Sequence, residues 1–366
     1  WRDAHGSDCE RLPVADDDVC TQLYTSGTTG LPKGAQITNA NFQALFDTVD
    51  WDMDENSRNL CVMPLFHIAG SGWALFGMGC GARTIMTREF EPVSALQLIE
   101  SEAITHAIFV PAIQQFFLMV PSDGVDLSTM ELIVYGASPI TQDVLVKSME
   151  MFGCQYMQVY GLTETTGAVT QLDPEDHDPG GPREHLLRSA GKPIASVEVK
   201  IVDADTGASL PDGEVGELVI RGPTVMRGYW ESPDLTSQAV DDGWFRSGDL
   251  AYRDADGYIF LNDRKKDLII TGGFNVFPKE IEEVLYTHPA VFECAVVGKP
   301  DQEWGEAVAA FVSLRKGSKS TEDELLQFCR EKLSRFKRPK SVSFVDEIPR
   351  NPSGKVMKRL LREEDS

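Results

Sequence analysis

From its start to about residue 190 the chain alternates between two kinds of apolar pattern. "RNLCVMPL", "ARTIMT", "THAIFV", "ELIVYG" and "YMQVYG" are short runs of strand character, while "TNANFQALFDTV", "PAIQQFFLMV" and "ITQDVLVKSMEMF" carry large apolar residues at helical spacing. Strands that take turns with helices must bury one element against the other, so this alternation predicts a layered α/β domain. Thr38 or Asn39 offers the cap for the first of these helices. The polar "DPEDHDPGGPREH", 173 to 185, breaks the pattern and predicts a surface loop.

Residues 191 to 262 change character. "VEVKIVD", "GELVIRG" and "GYIFLND" are short β runs separated by the turns "ADTG", "PDGEVG" and "DADG", which predicts a compact antiparallel sheet or barrel. After "DRKKD", 263 to 267, come "LIIT", "KEIEEVLYTH", "VFECAVVG", "AVAAFVSL", "TEDELLQFCREKL" and "SVSFVDE". These give a small α+β unit over 268–366, with Ile281, Val284 and Leu285 on one apolar face of its first helix.

The balance of residue types excludes several classes of function. With 42% hydrophobic and 25% charged residues among 366, the chain reads as a soluble globular protein of more than one domain. A net charge of −23 argues against nucleic acid as a partner. Residues 330 to 362 run the other way, with eleven Lys or Arg against three acids, which suits either a small polyphosphate or a solvated helix face. Seven scattered cysteines without a C-x-x-C pair argue against a disulfide framework or a zinc site and fit a reducing, cytoplasmic setting. The uncharged "LFHIAGSGWALFGMGCGA", 65 to 82, holds five Gly and a His. It predicts a helix packed inside a domain rather than a transmembrane segment, with peripheral membrane contact left open.

"YTSGTTGLPKG", 24 to 34, follows the apolar run "VCTQLY", which predicts a buried strand with a turn at its end, the place where α/β sheets bind ligands. Gly27 and Gly30 let backbone N–H groups face an anion, Thr25, Ser26, Thr28 and Thr29 add hydroxyl donors, and Lys33 adds a charge. The spacing differs from the Walker pattern, since Gly34 rather than Ser or Thr follows the Lys. By itself the loop fits a phosphate cradle and an ordinary Gly-rich turn equally well.

Four further Gly-containing turns follow predicted strands in order: "YGASP" at 135 to 139, "YGLTETTG" at 160 to 167, "RSGD" at 246 to 249 and "NPSGK" at 351 to 355. With "DRKKDLIITGGFNVFPKEIE" and "RNPSGKVMKRLLRE" they make the chain resemble, over nearly all its length, the adenylate-forming superfamily of AMP-producing acyl-CoA synthetases, whose relatives include luciferases and peptide-synthetase adenylation domains. The resemblance implies an α/β adenylation core over 1–190, a β-rich subdomain over 191–262, a hinge at 263–267 and a C-terminal lid domain over 268–366. It also implies ATP, Mg²⁺ and coenzyme A as cofactor and co-substrates, and a carboxylic acid as substrate.

Roles carried over from the family fall on residues with suitable chemistry. Thr25 to Lys33 would hold the ATP β- and γ-phosphates. Gly136, Ala137 and Ser138 would line the adenine edge and Tyr160 would offer it a flat face. Thr163 would meet the α-phosphate, and Glu164 would ligate Mg²⁺. Asp249 would grip the ribose diol with two accepted bonds, and Arg264 would contact ribose or phosphate. Lys355 would be the catalytic cation where a carboxylate attacks the α-phosphate. Lys266 takes the hinge position, and Gly272 and Gly273 would let pantetheine pass against bare backbone.

Gly161 stands where acetate-selective relatives carry a bulky aromatic, which implies an open acyl pocket for a medium- or long-chain fatty or other bulky acid. His67 fits a pocket gate and a core histidine alike, and Phe66, Trp73, Phe109, Val110 and Ala112 fit pocket wall and core alike. Delivery to a carrier-protein phosphopantetheine and noncatalytic nucleotide binding stand as alternatives to CoA ligation. The family carries a substantial segment before the opening loop, and only about twenty residues precede it here. The chain is therefore read as an N-terminally incomplete piece of low intrinsic activity.

Overall fold

The computed structural model describes residues 13–26, 32–351 and 355–363. The opening run forms strand β1 (Val19–Ser26), and its surroundings differ from those predicted. It pairs antiparallel with β2 (Pro32–Thr38), Thr25 facing Lys33, in a small sheet apart from the main one. Strand periodicity explains the difference: Leu23 points inward and is buried, while Tyr24 points outward and is 59% exposed. The segment 24–34 therefore begins and ends in two paired strands of this small sheet rather than following a strand of the main one, and Gly27, Thr28, Thr29 and Gly30 lie outside the described residues. Helix α1 (Asn39–Phe46) starts at Thr38, whose hydroxyl accepts from the Asn41 amide while Asn41 Oδ1 accepts from the Thr38 amide, a reciprocal cap.

The main sheet follows. Strands β3 (Arg58–Cys61), β4 (Arg83–Met86), β5 (His106–Phe109), β6 (Leu132–Gly136) and β7 (Gln155–Tyr160) alternate with helices α2 (Ile68–Gly79), α3 (Pro92–Ser101), α4 (Pro111–Phe117) and α5 (Gln142–Phe152). β8 (Thr170–Leu172) and β9 (Lys192–Pro193) complete the order β4-β3-β5-β6-β7-β8-β9, parallel up to β7 and antiparallel after it. β6 is buried along its whole length, as a parallel strand covered on both faces should be. The Gly-rich stretch after residue 65 becomes α2 inside the domain, with Trp73 and Phe76 packed against Trp51. Among the described residues no helix is long and apolar enough to cross a membrane. The 173–185 loop is less peripheral than predicted, because buried Asp176 accepts from the Tyr258 hydroxyl and pairs with Arg183.

Strands β10 (Glu198–Val202) and β11 (Gly216–Arg221) open an antiparallel sheet completed by β13 (Val240–Asp241), β14 (Trp244–Arg253) and β15 (Ile259–Arg264). The short β12 (Gly228–Tyr229), ahead of helix α6 (Pro233–Ala239), leaves that sheet to pair with β2, and β9 joins the main sheet. Residues 191 to 262 thus serve three sheets rather than forming one compact unit.

After a 3₁₀ turn at Lys265–Asp267 the C-terminal domain begins with β16 (Ile269–Thr271) and β17 (Phe274–Val276), then α7 (Pro278–Tyr286), β18 (Val291–Asp301) and β19 (Gly305–Leu314). Helix α8 (Glu322–Lys332), β20 (Ser341–Phe344) and α9 (Lys358–Glu363) complete it, in the sheet order β17-β16-β19-β18 with β20 parallel to β19. β18 feeds two cores by alternation. Cys294 and Val296 meet Ile281 and Leu285 of α7, whereas Ala295 and Val297 join the cluster that holds Leu361 of α9.

Candidate active site

A cavity of about 1480 Å³ opens beyond the carboxyl ends of β6 and β7 and extends to the C-terminal domain. It gathers side chains from segments far apart in the chain: Thr25 and Lys33 from the hairpin, His67, Gly136 to Ser138, Tyr160, Gly161, Thr163 and Glu164, then Asp249, Arg264, Lys266 and Lys355. This is the position where an open α/β sheet leaves a crevice.

Backbone crowding dictates the small residues at the floor. A Cβ on Gly136 would lie 2.0 Å from the Val159 carbonyl oxygen of the neighbouring strand, so no larger residue fits there. Ala137 then turns with φ 66°, a left-handed conformation that a non-glycine residue adopts only under constraint. Gly161 needs the same explanation, since its Cβ would lie 2.4 Å from the Gly167 carbonyl oxygen. The glycine there follows first from the tight "GLTETTG" turn, and an open acyl pocket is not needed to account for it.

Glu164 sits on a one-turn 3₁₀ helix, Thr163–Thr165, and is 8% exposed. Its Oε1 accepts from Thr25 Oγ1 at 3.1 Å and from the Tyr229 hydroxyl at 3.0 Å, and its backbone carbonyl accepts from the Met226 amide at 2.8 Å. Lys33 Nζ stands 5.2 Å from the centre of the Tyr229 ring. One carboxylate held in place by two hydroxyls suits a hard divalent cation, which takes one or two protein carboxylates together with phosphate oxygens and water. Among the described residues no group of three or more His, Cys, Asp or Glu gathers to hold a metal by side chains alone.

Asp249, on β14 opposite Arg264 of β15, is 7% exposed. Its Oδ2 accepts from the Tyr160 hydroxyl at 2.7 Å, and Arg264 Nε lies 3.3 Å from Oδ1. Burial, followed by the Asp249 charge, pushes the Tyr160 phenol well above its usual range, so it remains a donor. The turn that presents Asp249 is braced from β11: buried Glu217 accepts from Arg246 at 2.6 Å and from the Gly248 amide at 3.3 Å, and Ser247 Oγ donates to the Leu218 carbonyl at 2.6 Å.

Lys355 comes from the C-terminal domain. The residue is exposed overall and borders the cavity. Burial around the ammonium, then the positive charges of Arg264 and Lys266, pull it from the usual lysine range down to about 8 against the opposing pull of Asp249 and Glu164. Its backbone is fixed by Asn351, whose Oδ1 accepts from the Lys355 amide at 2.9 Å. Ser353 and Gly354 of the same motif lie outside the described residues. Lys266 is lowered as well, by burial and then by Arg264.

His67 is a half-buried helix cap at the cavity wall rather than a core histidine. It caps α2, its Nδ1 accepting from the Ala69 amide at 3.1 Å, and it lines the cavity with burial and the Lys355 charge lowering its pKa. Phe66, Trp73, Val110 and Ala112 line the cavity too. Phe109 does not: it is fully buried against Phe117 and Phe152, a core residue. Gly272 and Gly273 also lie outside the cavity lining. With φ 57° and 80° they form the two-residue turn between Thr271 and Phe274, the left-handed pair that such hairpins require. For Ser26 the structure gives only its backbone place at the end of β1.

Sequence reasoning missed Tyr229, Glu217 and Lys279, which all reach the cavity. The one cue for Tyr229 was the Gly-Tyr pair closing "VMRGYW", whose meaning depends on a strand pairing with β2 that periodicity does not reveal.

The cleft thus brings two buried carboxylates, Glu164 and Asp249, together with Lys33, Arg264, Lys266 and Lys355, a set whose chemistry suits a phosphorylated ligand. The profile described as "AMP-binding enzyme" matches residues 2–230, and "AMP-binding enzyme C-terminal domain" matches 280–355. The chain belongs to the adenylate-forming AMP-binding enzyme family and is a ligase of that family. It is 40% identical to the fatty acid–[acyl-carrier-protein] ligase ScoC of Streptomyces coeruleorubidus, over 99% of this chain and 71% of that protein. It is 38% identical to a feruloyl-CoA synthase of Amycolatopsis sp, over 98% and 72%. Its fold superposes on ATP-bound MatB from Rhodopseudomonas palustris with a TM-score of 0.87 at 34% identity, covering 96% of this chain and 69% of that one. ATP with Mg²⁺ and CoA are the small molecules of this family.

Proposed function

We propose that the protein is an AMP-forming acyl-CoA synthetase. A carboxylate oxygen attacks the α-phosphorus of ATP and pyrophosphate leaves with the electrons of the broken P–O bond. A CoA thiolate then attacks the acyl carbon and AMP departs. The observation that carries this reading is the convergence of Lys355 with Asp249, Arg264 and Glu164 on one cavity, since joining two anions needs a desolvated cation beside a fixed nucleotide.

In this reading Lys355 bridges the attacking carboxylate and the α-phosphate, and Thr163 donates to that phosphate. Asp249 takes the ribose diol, already oriented by Tyr160 and Arg264. Gly136 to Ser138 border the purine. Glu164, held by Thr25 and Tyr229, would ligate Mg²⁺, which neutralises phosphate charge when bound. Thr25 through Lys33 receive the terminal phosphates. The C-terminal domain turns about Lys266 between the two steps, which withdraws Lys355 and brings Gly272 and Gly273 toward the thiol. The apolar wall of Phe66, Trp73 and Val110 and the size of the cavity support a bulky or medium- to long-chain acid.

A second reading, transfer to a carrier-protein phosphopantetheine, is favoured by the 40% identity to ScoC, a fatty acid–[acyl-carrier-protein] ligase. The test is carboxylate-dependent ATP–pyrophosphate exchange over a panel of acids, followed by acyl transfer to CoA and to a phosphopantetheinylated carrier. Exchange with one acid and turnover on CoA are expected. No exchange with any acid overturns the enzyme reading, and transfer to the carrier alone selects the second.

A further inference from the structure

Helix α7 begins without a cap of its own. Phe277 at the cap position supplies no side-chain acceptor, and Pro278 follows. The first turn of a helix leaves orphan amide donors that need partners. Here the Lys279 amide donates to Asp263 Oδ2 at 3.0 Å, while the Lys279 ammonium donates to the Leu261 carbonyl at 2.7 Å. Leu261 and Asp263 both belong to β15, ahead of the Lys265–Asp267 connection, and Lys279 lies beyond it. One residue therefore makes two bonds across the joint, one from main chain and one from side chain.

The other ion pairs around Lys355 behave differently. Lys358 with Glu282 at 2.8 Å, Arg350 with Glu293 at 2.8 Å and Arg362 with Asp267 at 2.8 Å all join residues from 267 onward. A turn of the domain about Lys266 leaves these three intact, whereas both Lys279 bonds must break.

We propose that Lys279, with Asp263 as the cap supplied across the joint, is a positioning residue that holds the C-terminal domain in the arrangement that delivers Lys355 to the cavity. This rests on the acid-activating reading above. The Lys279 ammonium is a charged donor to the Leu261 carbonyl, and a bond of that kind is worth enough to shift the balance between two arrangements about tenfold.

The test uses Lys279→Met, which keeps the aliphatic stem, and Lys279→Arg, which restores a charged donor, in the whole protein. Three readings are taken: acid-dependent pyrophosphate exchange, transfer to CoA from supplied acyl-adenylate, and the rate of tryptic cleavage after Arg264, Lys265 and Lys266 relative to all other sites. Lys279→Met is expected to slow exchange about tenfold, leave transfer unslowed and raise the relative cleavage at the connection, with Lys279→Arg recovering part of each change. Equal slowing of both half-reactions, no slowing of exchange, or unchanged relative cleavage overturns the proposal. If the parent shows no exchange at all, the enzyme reading fails, and the cleavage ratio still decides this one.

Discussion

The Tyr160 hydroxyl and the Asp249 carboxylate are joined at 2.7 Å across two sheets, one residue ending β7 and the other lying on β14. The ring that the family resemblance sets against the purine is thus fixed by the group that takes the ribose in the proposed mechanism. Tyr160→Phe removes a bond to a charged acceptor and is expected to raise the Kd for ATP about tenfold, with a smaller change in kcat. Asp249→Ala is expected to abolish detectable ATP binding. Titration calorimetry with ATP checks both, and an unchanged affinity in Tyr160→Phe contradicts the arrangement.

Lys355 sets a pH dependence. Its ammonium is the active form, and with its pKa pulled down to about 8 the charge is present below that pH and lost above it. The kcat/KM for pyrophosphate exchange should therefore fall as pH rises through about 8. Lys355→Arg, which stays charged, should lose that falling limb, and Lys355→Ala should lower exchange by about a thousandfold while sparing transfer from supplied acyl-adenylate.

The bond from Tyr229 to Glu164 gives a metal-linked prediction. Glu164→Gln should raise the free Mg²⁺ needed for half-maximal exchange by tenfold or more, and Tyr229→Phe by about threefold, because the carboxylate keeps its Thr25 donor. Titration of bound Mn²⁺ by electron paramagnetic resonance, in the presence of ATP, reads the same order without turnover.

Gly136 and Gly161 carry a stability prediction. With a carbonyl oxygen 2.0 Å and 2.4 Å from where a Cβ would stand, Gly136→Ala and Gly161→Ala should each destabilise the fold by about 1–3 kcal/mol in urea unfolding. If Gly161→Ala leaves stability intact and only shortens the range of accepted acids, pocket shape rather than backbone crowding explains that glycine.

The strands of the main sheet were legible because each is a short, almost wholly apolar run between turn signals. β6, "LIVYG", is buried at every position and admits no other reading. Helix α1 was legible from Thr38, its cap. The hairpin of β1 and β2 was not, because "VCTQLY" has the composition of a buried strand and only the fold decides which of its faces meets the core. Glu164 and Asp249 stood out as residues within turns. Their partners Thr25, Tyr229 and Tyr160 are brought to them by pairing between sheets, for which local spacing carries no signal. Lys279 was hidden for the same reason: its amide needs Asp263 only because α7 has no cap of its own.

The two-faced strand β18 has a further consequence. From Cys294 to Val297, past the register shift at Val291–Glu293, alternate positions serve opposite cores, one under α7 and the other under α9, the helix that begins three residues after Lys355. Inserting one amino acid near Ala295 would flip that parity, trade the two floors and uncouple the terminal helix from its seat. The helix that follows the lysine is thus seated by the register of a strand whose own residues border the same cleft.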